Sequence, residues 1–213
     1  KKALGVAGRN VILTFGLIGP RKGIKFALRA MASVLPRFPD SLYIVLGATH
    51  PLIKKRYGEN YRAALQKLVS RLGLNNHVKF VNRFVSREEL ITYLLATDIY
   101  LTPYLNEDQI SSGTLAYAVA CGKAIISTPY WYAQELLAYD RGVLVPFRDA
   151  SALAFWLGEL LADATTRQYF RRRAYRFGRR MTWPKSAAAY EKLFRKVLLK
   201  HRQNADGSGD AGH

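Results

Sequence analysis

Two hundred and thirteen residues suffice for one large domain or two small ones, and with 49% of them hydrophobic and 12% aromatic the chain can bury a core, which argues against disorder. Lys and Arg outnumber Asp and Glu by 33 to 15, a formal net charge of +18, so the expected partners are anionic: phosphates, acidic lipid, acidic glycan or nucleic acid. One cysteine, Cys121, excludes an internal disulfide, four histidines leave little for a structural zinc site, and no apolar run approaches the roughly 18 residues of a membrane span. No secretory signal is visible, and the chain opens on Lys1 rather than Met, as a piece of a longer protein would.

Val11 to Phe15 is a short apolar run ending at a glycine, the pattern of a buried strand. Gly23 to Leu35 follows as a helix, with Phe26, Ala27, Ala30, Met31 and Val34 at helical spacing and Pro36 as its stop. Leu42 to Leu46 predicts a second buried strand, Tyr61 to Leu72 a helix closed by Gly73, and Val78 to Val81 a strand. Ser86 caps the next helix, with Glu89 expected as its capping-box partner. Ile99 to Leu101 is a strand, Thr114 to Ala120 a helix, Ala124 to Ser127 a strand, Ala133 to Leu137 a short helix and Val143 to Val145 a last strand.

This alternation predicts an α/β fold, a Rossmann-like three-layer parallel sheet with helices on both faces, followed by C-terminal helices. Right-handed crossovers then gather the strand-to-helix loops at one edge, where ligands bind. The polar and glycine-rich clusters fall in those loops: Gly16 to Gly23, Gly47 to His50, Asn82 to Arg83, Tyr104 to Gly113 and Thr128 to Tyr132. After Pro146 only helices are expected, over 150–163, 166–181 and 185–202. The second carries a stripe of Phe170, Ala174, Phe177 and Met181, the third one of Tyr190, Leu193, Phe194, Val197 and Leu198. The expected organisation is a Rossmann-like unit over 1–164, basic helices over 165–203 packing on it or on a missing N-terminal domain, and a disordered polar tail over 204–213.

The first loop, Gly16-Leu17-Ile18-Gly19-Pro20-Arg21-Lys22-Gly23, joins a buried strand to a helix. Glycines let backbone approach a ligand, the helix N-terminus offers free amides, and Arg21 and Lys22 add two cations, which together suit a diphosphate. It is neither a Walker A loop nor a clean GxGxxG, and a tight turn with solvated cations is the competing reading. The second cluster, Gln109-Ile110-Ser111-Ser112-Gly113-Thr114, again brings hydroxyls and a glycine to a helix start. Simple N-capping competes with anion binding there. Glu135 reads either as a carboxylate favoured by the helix dipole or as an acceptor for sugar hydroxyls. His50 and His77 read as structural or solvated, and Cys121 as inert core.

These pieces, in their order and spacing, resemble the C-terminal, donor-binding domain of a GT-B retaining glycosyltransferase of family 4, also called group 1. The resemblance runs from about residue 10 to 200 through FGLIGPRKG (Phe15 to Gly23), LYIVLGATHP (Leu42 to Pro51), HVKFVNRFVSREEL (His77 to Leu90), ATDIYLTPY (Ala96 to Tyr104), SSGTLAYAVACGKAIISTPYWYAQELL (Ser111 to Leu137) and GVLVPF (Gly142 to Phe147). It implies a UDP- or GDP-sugar donor, with Gly16, Gly19, Arg21 and Lys22 at the diphosphate and Arg83 and Phe84 at the base. Ser111, Ser112, Gly113 and Thr114 would face the phosphates, with Glu107, Gln109, Glu135 and Tyr117 at the sugar and ribose positions. Lys22, Gln109 and Glu135 are the residues it nominates as catalytic. Retaining transfer without a metal or other cofactor is implied, as is a final helix crossing back to an N-terminal acceptor domain.

The sequence departs from the family pattern where Leu17 replaces an Arg, for which Arg21 is a candidate substitute. Gln109 and Tyr117 stand where counting back from Ala120-Cys121-Gly122 puts the two usual Glu residues, whereas counting forward from Pro103 puts Glu107 at the first. The run Gln109 to Tyr117 is similar to that of a variant branch of the family. Residues 165–203 hold thirteen Lys or Arg against one acid, Glu191. A solvated helix face, an anionic membrane surface and nucleic acid are the readings of that charge, the last disfavoured because no nucleic-acid motif accompanies it. The expected partners are therefore a nucleotide-sugar donor, a saccharide or lipid-linked acceptor, a missing N-terminal GT-B domain and an anionic membrane. The expected location is cytoplasmic, peripheral to the inner membrane face. The alternative function is a noncatalytic basic Rossmann-like module that binds anionic membrane or nucleic acid.

Overall fold

The structure, a computed structural model, describes residues 1–207, with side chains described to residue 201. Its strands are β1 (Asn10–Phe15), β2 (Ser41–Leu46), β3 (Val78–Val81), β4 (Ile99–Thr102), β5 (Ala124–Ser127) and β6 (Val143–Leu144). Its helices are α1 (Ile24–Val34), α2 (Pro51–Tyr57), α3 (Asn60–Arg71), α4 (Arg87–Ala96), α5 (Gly113–Ala120), α6 (Trp131–Leu137), α7 (Ala150–Ala162), α8 (Ala164–Gly178) and α9 (Trp183–Gly207). The strands form one parallel sheet in the order β3-β2-β1-β4-β5-β6.

The apolar runs become buried strands because both faces of this sheet are covered. Alternation along each strand divides the core in two. Ile12, Tyr43, Val45, Leu101 and Ile126 pack with residues of α1, α3 and α7 on one face. Val11, Leu13, Ile44, Tyr100 and Ile125 pack with residues of α4, α5, α6 and α8 on the other. In α1, Ile24, Leu28 and Met31 are fully buried, each contributing about 1.5–3 kcal/mol of transfer free energy. The three-layer α/β fold expected from the sequence is the one observed.

Three local expectations change. Helix α2 fills the stretch between Pro51 and Tyr57, which the sequence left as loop; His50 caps it, its Nδ1 accepting from Leu52 N at 3.3 Å. Ser86 does cap α4, its Oγ accepting from Glu89 N at 3.2 Å. Glu89, however, does not complete a capping box: its carboxylate forks onto the Arg83 guanidinium, a charge-assisted pair that outcompetes a neutral backbone amide. The third difference lies in the C-terminal helices. Helix α8 ends at Gly178 rather than 181, and its stripe spans both cores, Phe170 against one, and Ala174 and Phe177 against the other, where Met181 joins them from beyond the helix end. On α9, by contrast, Tyr190, Leu193, Phe194, Val197 and Leu198 are all exposed. The helix continues to Gly207, four residues into the segment expected as a tail, and 208–213 lie outside the described residues. Among the described residues no helix is long and apolar enough to cross a membrane.

Candidate functional site

The chain winds outward from β1 to β2 and β3, then returns to place β4 on the other side of β1. The loops after β1 and β4 therefore leave the sheet in opposite directions, and a crevice opens between them. The backbone closes that crevice at its base. Leu105 N donates to Arg21 O at 2.8 Å. Gly23, at φ 64°, comes so near that a Cβ there would lie 1.8 Å from Pro103 O. A Cβ on Gly47 would lie 2.0 Å from Gly16 O, so the loop after β2 seats on the first loop. The glycines thus serve contact between loops as well as access for a ligand.

Side chains continue the connection. Lys22 Nζ donates to Tyr104 Oη at 2.5 Å and lies 3.8 Å from the centroid of that ring. Tyr104 Oη is 2.9 Å from Thr114 Oγ1, which is 3.1 Å from Ser112 Oγ. The loops holding Lys22 and Ser112 thus lie side by side, linked by one chain of hydrogen bonds. Tyr104 is buried and stacked on Tyr130, with ring centroids 5.3 Å apart. Burial would raise the Tyr104 phenol, but the Lys22 charge and its hydrogen bonds to Lys22 and Thr114 outweigh this and bring it below its ordinary value. Tyr130 has no such cation, and burial pushes it up to about 12.

Two cavities flank this ridge. One, of 280 Å³, is mostly apolar, with Phe15, Leu46, Val85 and Leu90 in its wall and Arg83, Phe84, Thr114 and Tyr117 at its mouth. The other, of 550 Å³, is lined by Gly19, Arg21, Lys22, His50, Ile53 and Gln109. Leu17 borders both.

Most of the nominated residues meet here. Gly16, Arg83, Phe84, Gly113, Thr114 and Tyr117 border the smaller cavity; Gly19, Arg21, Lys22 and Gln109 border the larger. Gly113 is open to any approach, with nothing within 4 Å of where a Cβ would stand. Ser112 acts as the helix cap, its Oγ accepting from Leu115 N at 3.3 Å. Ser111 is exposed, and its carbonyl receives Gln109 Nε2 at 2.9 Å. Glu107 is exposed on the same loop, where its carbonyl accepts from Trp131 N at 3.0 Å. Glu135 stands apart: it is exposed on α6, borders neither cavity, and its charge acts on Tyr132 and Arg141. Arg83 is held by Glu89, which raises the guanidinium and lowers the carboxylate from their usual values.

Three residues that the sequence did not nominate for the site help to shape it. Tyr104 is the hinge of the hydrogen-bond chain. His50 lines the larger cavity from the start of α2. Arg62 is 3% exposed and holds the loop after β2, donating to Gly47 O at 2.8 Å and lying 3.5 Å from Glu59. Its position was readable, since 62, 65 and 69 repeat at helical spacing on the buried face of α3. Among the described residues no group of three or more His, Cys, Asp or Glu could hold a metal ion.

The sequence model described as glycosyl transferases group 1 matches residues 1–177. D-inositol 3-phosphate glycosyltransferase of Corynebacterium urealyticum is 29% identical over 200 residues, covering 92% of this chain and 46% of the relative. The GDP-mannose-dependent alpha-(1-6)-phosphatidylinositol monomannoside mannosyltransferase of Mycolicibacterium smegmatis is 27% identical over 169 residues, 76% of this chain and 41% of the relative. The chain thus spans about half the length of the curated relatives it matches. Among solved structures, Anabaena HepE in complex with UDP superposes with a TM-score of 0.77 at 22% identity, over 93% of this chain and 51% of that one. The C-terminal domain of a group 1 family protein from Francisella tularensis gives 0.68 at 21% identity, over 78% of this chain and 82% of that one.

Proposed function

The chain belongs to the group 1 glycosyltransferases, and from that premise we propose that it is the donor-binding half of a retaining hexosyltransferase using a UDP- or GDP-activated sugar. The observation that carries the reading is the contact between the Lys22 and Ser112 loops through Tyr104 and Thr114, with a cavity on either side. The nucleoside lies in the smaller, apolar cavity beside Phe84 and Tyr117. The diphosphate bridges the ridge, where Lys22 and the free amides at the start of α5 meet it. The sugar enters the larger cavity, with Gln109 as its hydrogen-bonding neighbour and Arg21 and His50 at the wall. Glu135 and Glu107 border neither cavity, whereas Gln109 lines the larger, so Gln109 is the better candidate for the sugar hydroxyls.

In transfer, the bond from the anomeric carbon to the β-phosphate oxygen breaks, and the electron pair stays on the phosphate. The acceptor oxygen bonds that carbon from the same face, and its proton passes to the departing phosphate. This chain's part is to stabilise the growing phosphate charge, with Lys22 held in place by Tyr104 and the α5 amides fixed by the Ser112 cap. No resident cofactor is invoked. An N-terminal domain supplies the acceptor site and covers the exposed stripe of α9. The acceptor is a saccharide or a lipid-linked one, a choice in keeping with the mycobacterial relative, whose name specifies GDP-mannose and a phosphatidylinositol mannoside. A lipid-linked acceptor suits a cytoplasmic enzyme peripheral to the membrane.

Calorimetric titration with UDP, GDP and their sugars tests the reading. One base is expected to bind better, and Lys22→Ala to weaken binding about tenfold to a hundredfold, the worth of one charge-assisted hydrogen bond of roughly 1.5–3 kcal/mol. Binding that ignores the base and collapses with salt would instead favour a noncatalytic basic module.

A further inference from the structure

A second cationic hollow lies on the rim opposite Lys22, where α6 runs into β6. The connecting turn is unusual: Tyr139 and Asp140 are consecutive non-glycine residues at φ 58° and 57°. Side chains of α8 hold it there. Arg173 Nε donates to Tyr139 O at 2.8 Å, and Tyr169 Oη donates to Asp140 Oδ2 at 2.8 Å. Arg141, the next residue, donates to Leu136 O at 2.7 Å and Glu135 O at 2.6 Å, and its guanidinium lies 4.0 Å from the centroid of Phe177. Two guanidinium groups are thereby fixed in the wall of a 240 Å³ cavity that Arg176 and Arg180 complete.

Positive charge is in excess there. Among the described residues Asp140 lies 4.0 Å from Arg173 and the charge of Glu135 acts on Arg141, two carboxylates against four arginines. Arg176, on the last turn of α8, and Arg180, two residues past the helix end, are both exposed and border the same cavity. Desolvation, reinforced by the Arg173 charge, pulls Arg141 below its usual guanidinium value. Solvated surface arginines need neither a strained turn nor fixed hydrogen bonds to hold them around one space. Guanidinium forks match phosphate oxygens in pairs. The cavity is smaller than the roughly 300 Å³ at which pockets for drug-sized ligands begin, which suits one phosphate group.

We propose that Arg141, Arg173, Arg176 and Arg180 form a second anion site that takes the phosphate of a monoester or diester, remote from the Lys22 crevice. The phosphate belongs either to a soluble compound or to a lipid headgroup. Because the site sits on the other rim, it stands or falls independently of the donor reading.

The test uses the full chain carrying Lys22→Ala, so that the crevice does not contribute. One arm titrates inorganic phosphate against chloride at constant ionic strength, following the arginine Nε–H resonances. The other measures co-sedimentation with vesicles of phosphatidylglycerol in phosphatidylcholine. Saturable binding is expected in at least one arm, weakened tenfold or more by the pair Arg176→Gln and Arg180→Gln. The control pair Arg37→Gln and Arg56→Gln, also exposed, removes the same charge elsewhere and is expected to change binding less than twofold. Saturation by free phosphate identifies a soluble ligand; saturation by vesicles alone identifies a lipid headgroup. Absence of saturable binding in both arms, or equal loss in the two pairs, overturns the proposal. The melting curve of the Arg176 and Arg180 variant is expected to match the parent, because both side chains are exposed.

Discussion

Replacing Gly23 by Ala attacks the contact on which the crevice depends. The new Cβ would lie 1.8 Å from Pro103 O and 2.9 Å from Pro103 C, and both atoms belong to backbone that cannot rotate away. The residue would also have to hold φ at 64°, at a cost of roughly 1–2 kcal/mol. Relief requires the first loop to withdraw from the β4 loop. That withdrawal breaks the Leu105 N to Arg21 O bond, worth about 0.5–1.5 kcal/mol, and the charged Lys22–Tyr104 bond, worth about 1.5–3 kcal/mol. The sum is about 3–6.5 kcal/mol, a large share of the roughly 5–15 kcal/mol that stabilises a typical domain. Gly58 supplies the control: its φ is 60°, but nothing lies within 4 Å of a Cβ there, so Gly58→Ala is expected to lose only about 1–2 kcal/mol. Urea unfolding followed by circular dichroism measures both variants. Equal losses at the two positions would refute the close approach of the loops.

Alkaline titration gives a further prediction, centred on Lys123. Its side chain is 2% exposed and donates to Thr97 O at 3.0 Å. Burial first, then the charge of Arg171, draws it down to about 8. An unfolded lysine titrates near ~10.4, so between these values the unfolded chain binds more protons, and stability rises with pH by at most on the order of 3 kcal/mol. Above pH ~10 the sign reverses. Burial holds Tyr61 and Tyr130 at about 12 and Tyr43 higher still, so the unfolded chain then releases protons that the folded one keeps. Urea midpoints across this range are expected to pass through a maximum, and Lys123→Met is expected to flatten the rising limb; an unchanged rising limb would remove Lys123 as its cause.

The elements legible in the sequence were those whose residues answer to one constraint. Val11 to Phe15 and Leu42 to Leu46 are apolar throughout because both sheet faces are covered, and this also fixed the parallel architecture and the rim where the loops converge. Ser112 was readable as a cap because capping is local. The site was less legible where a residue's role depends on a distant partner. Tyr104 opens one of the polar loop clusters without a role of its own in the sequence, and only the return of β4 beside β1 brings Lys22 to its hydroxyl. Glu89 satisfied the capping-box spacing, yet Arg83 claims its carboxylate. Glu135 followed the strand at the family's spacing, but its place on the second turn of α6 turns it to solvent. The stripe on α9 was correctly periodic; periodicity reports an apolar face without saying what covers it.

The central claim is that the turns bearing Lys22 and Thr114 grip one pyrophosphate between them. A crystal structure of the chain with UDP tests this most directly. The account predicts phosphate oxygens within hydrogen-bonding distance of Lys22 Nζ and the backbone amide of Thr114, with uracil in the pocket beside Phe84. A diphosphate seated elsewhere, with Lys22 still turned only to Tyr104, would contradict it.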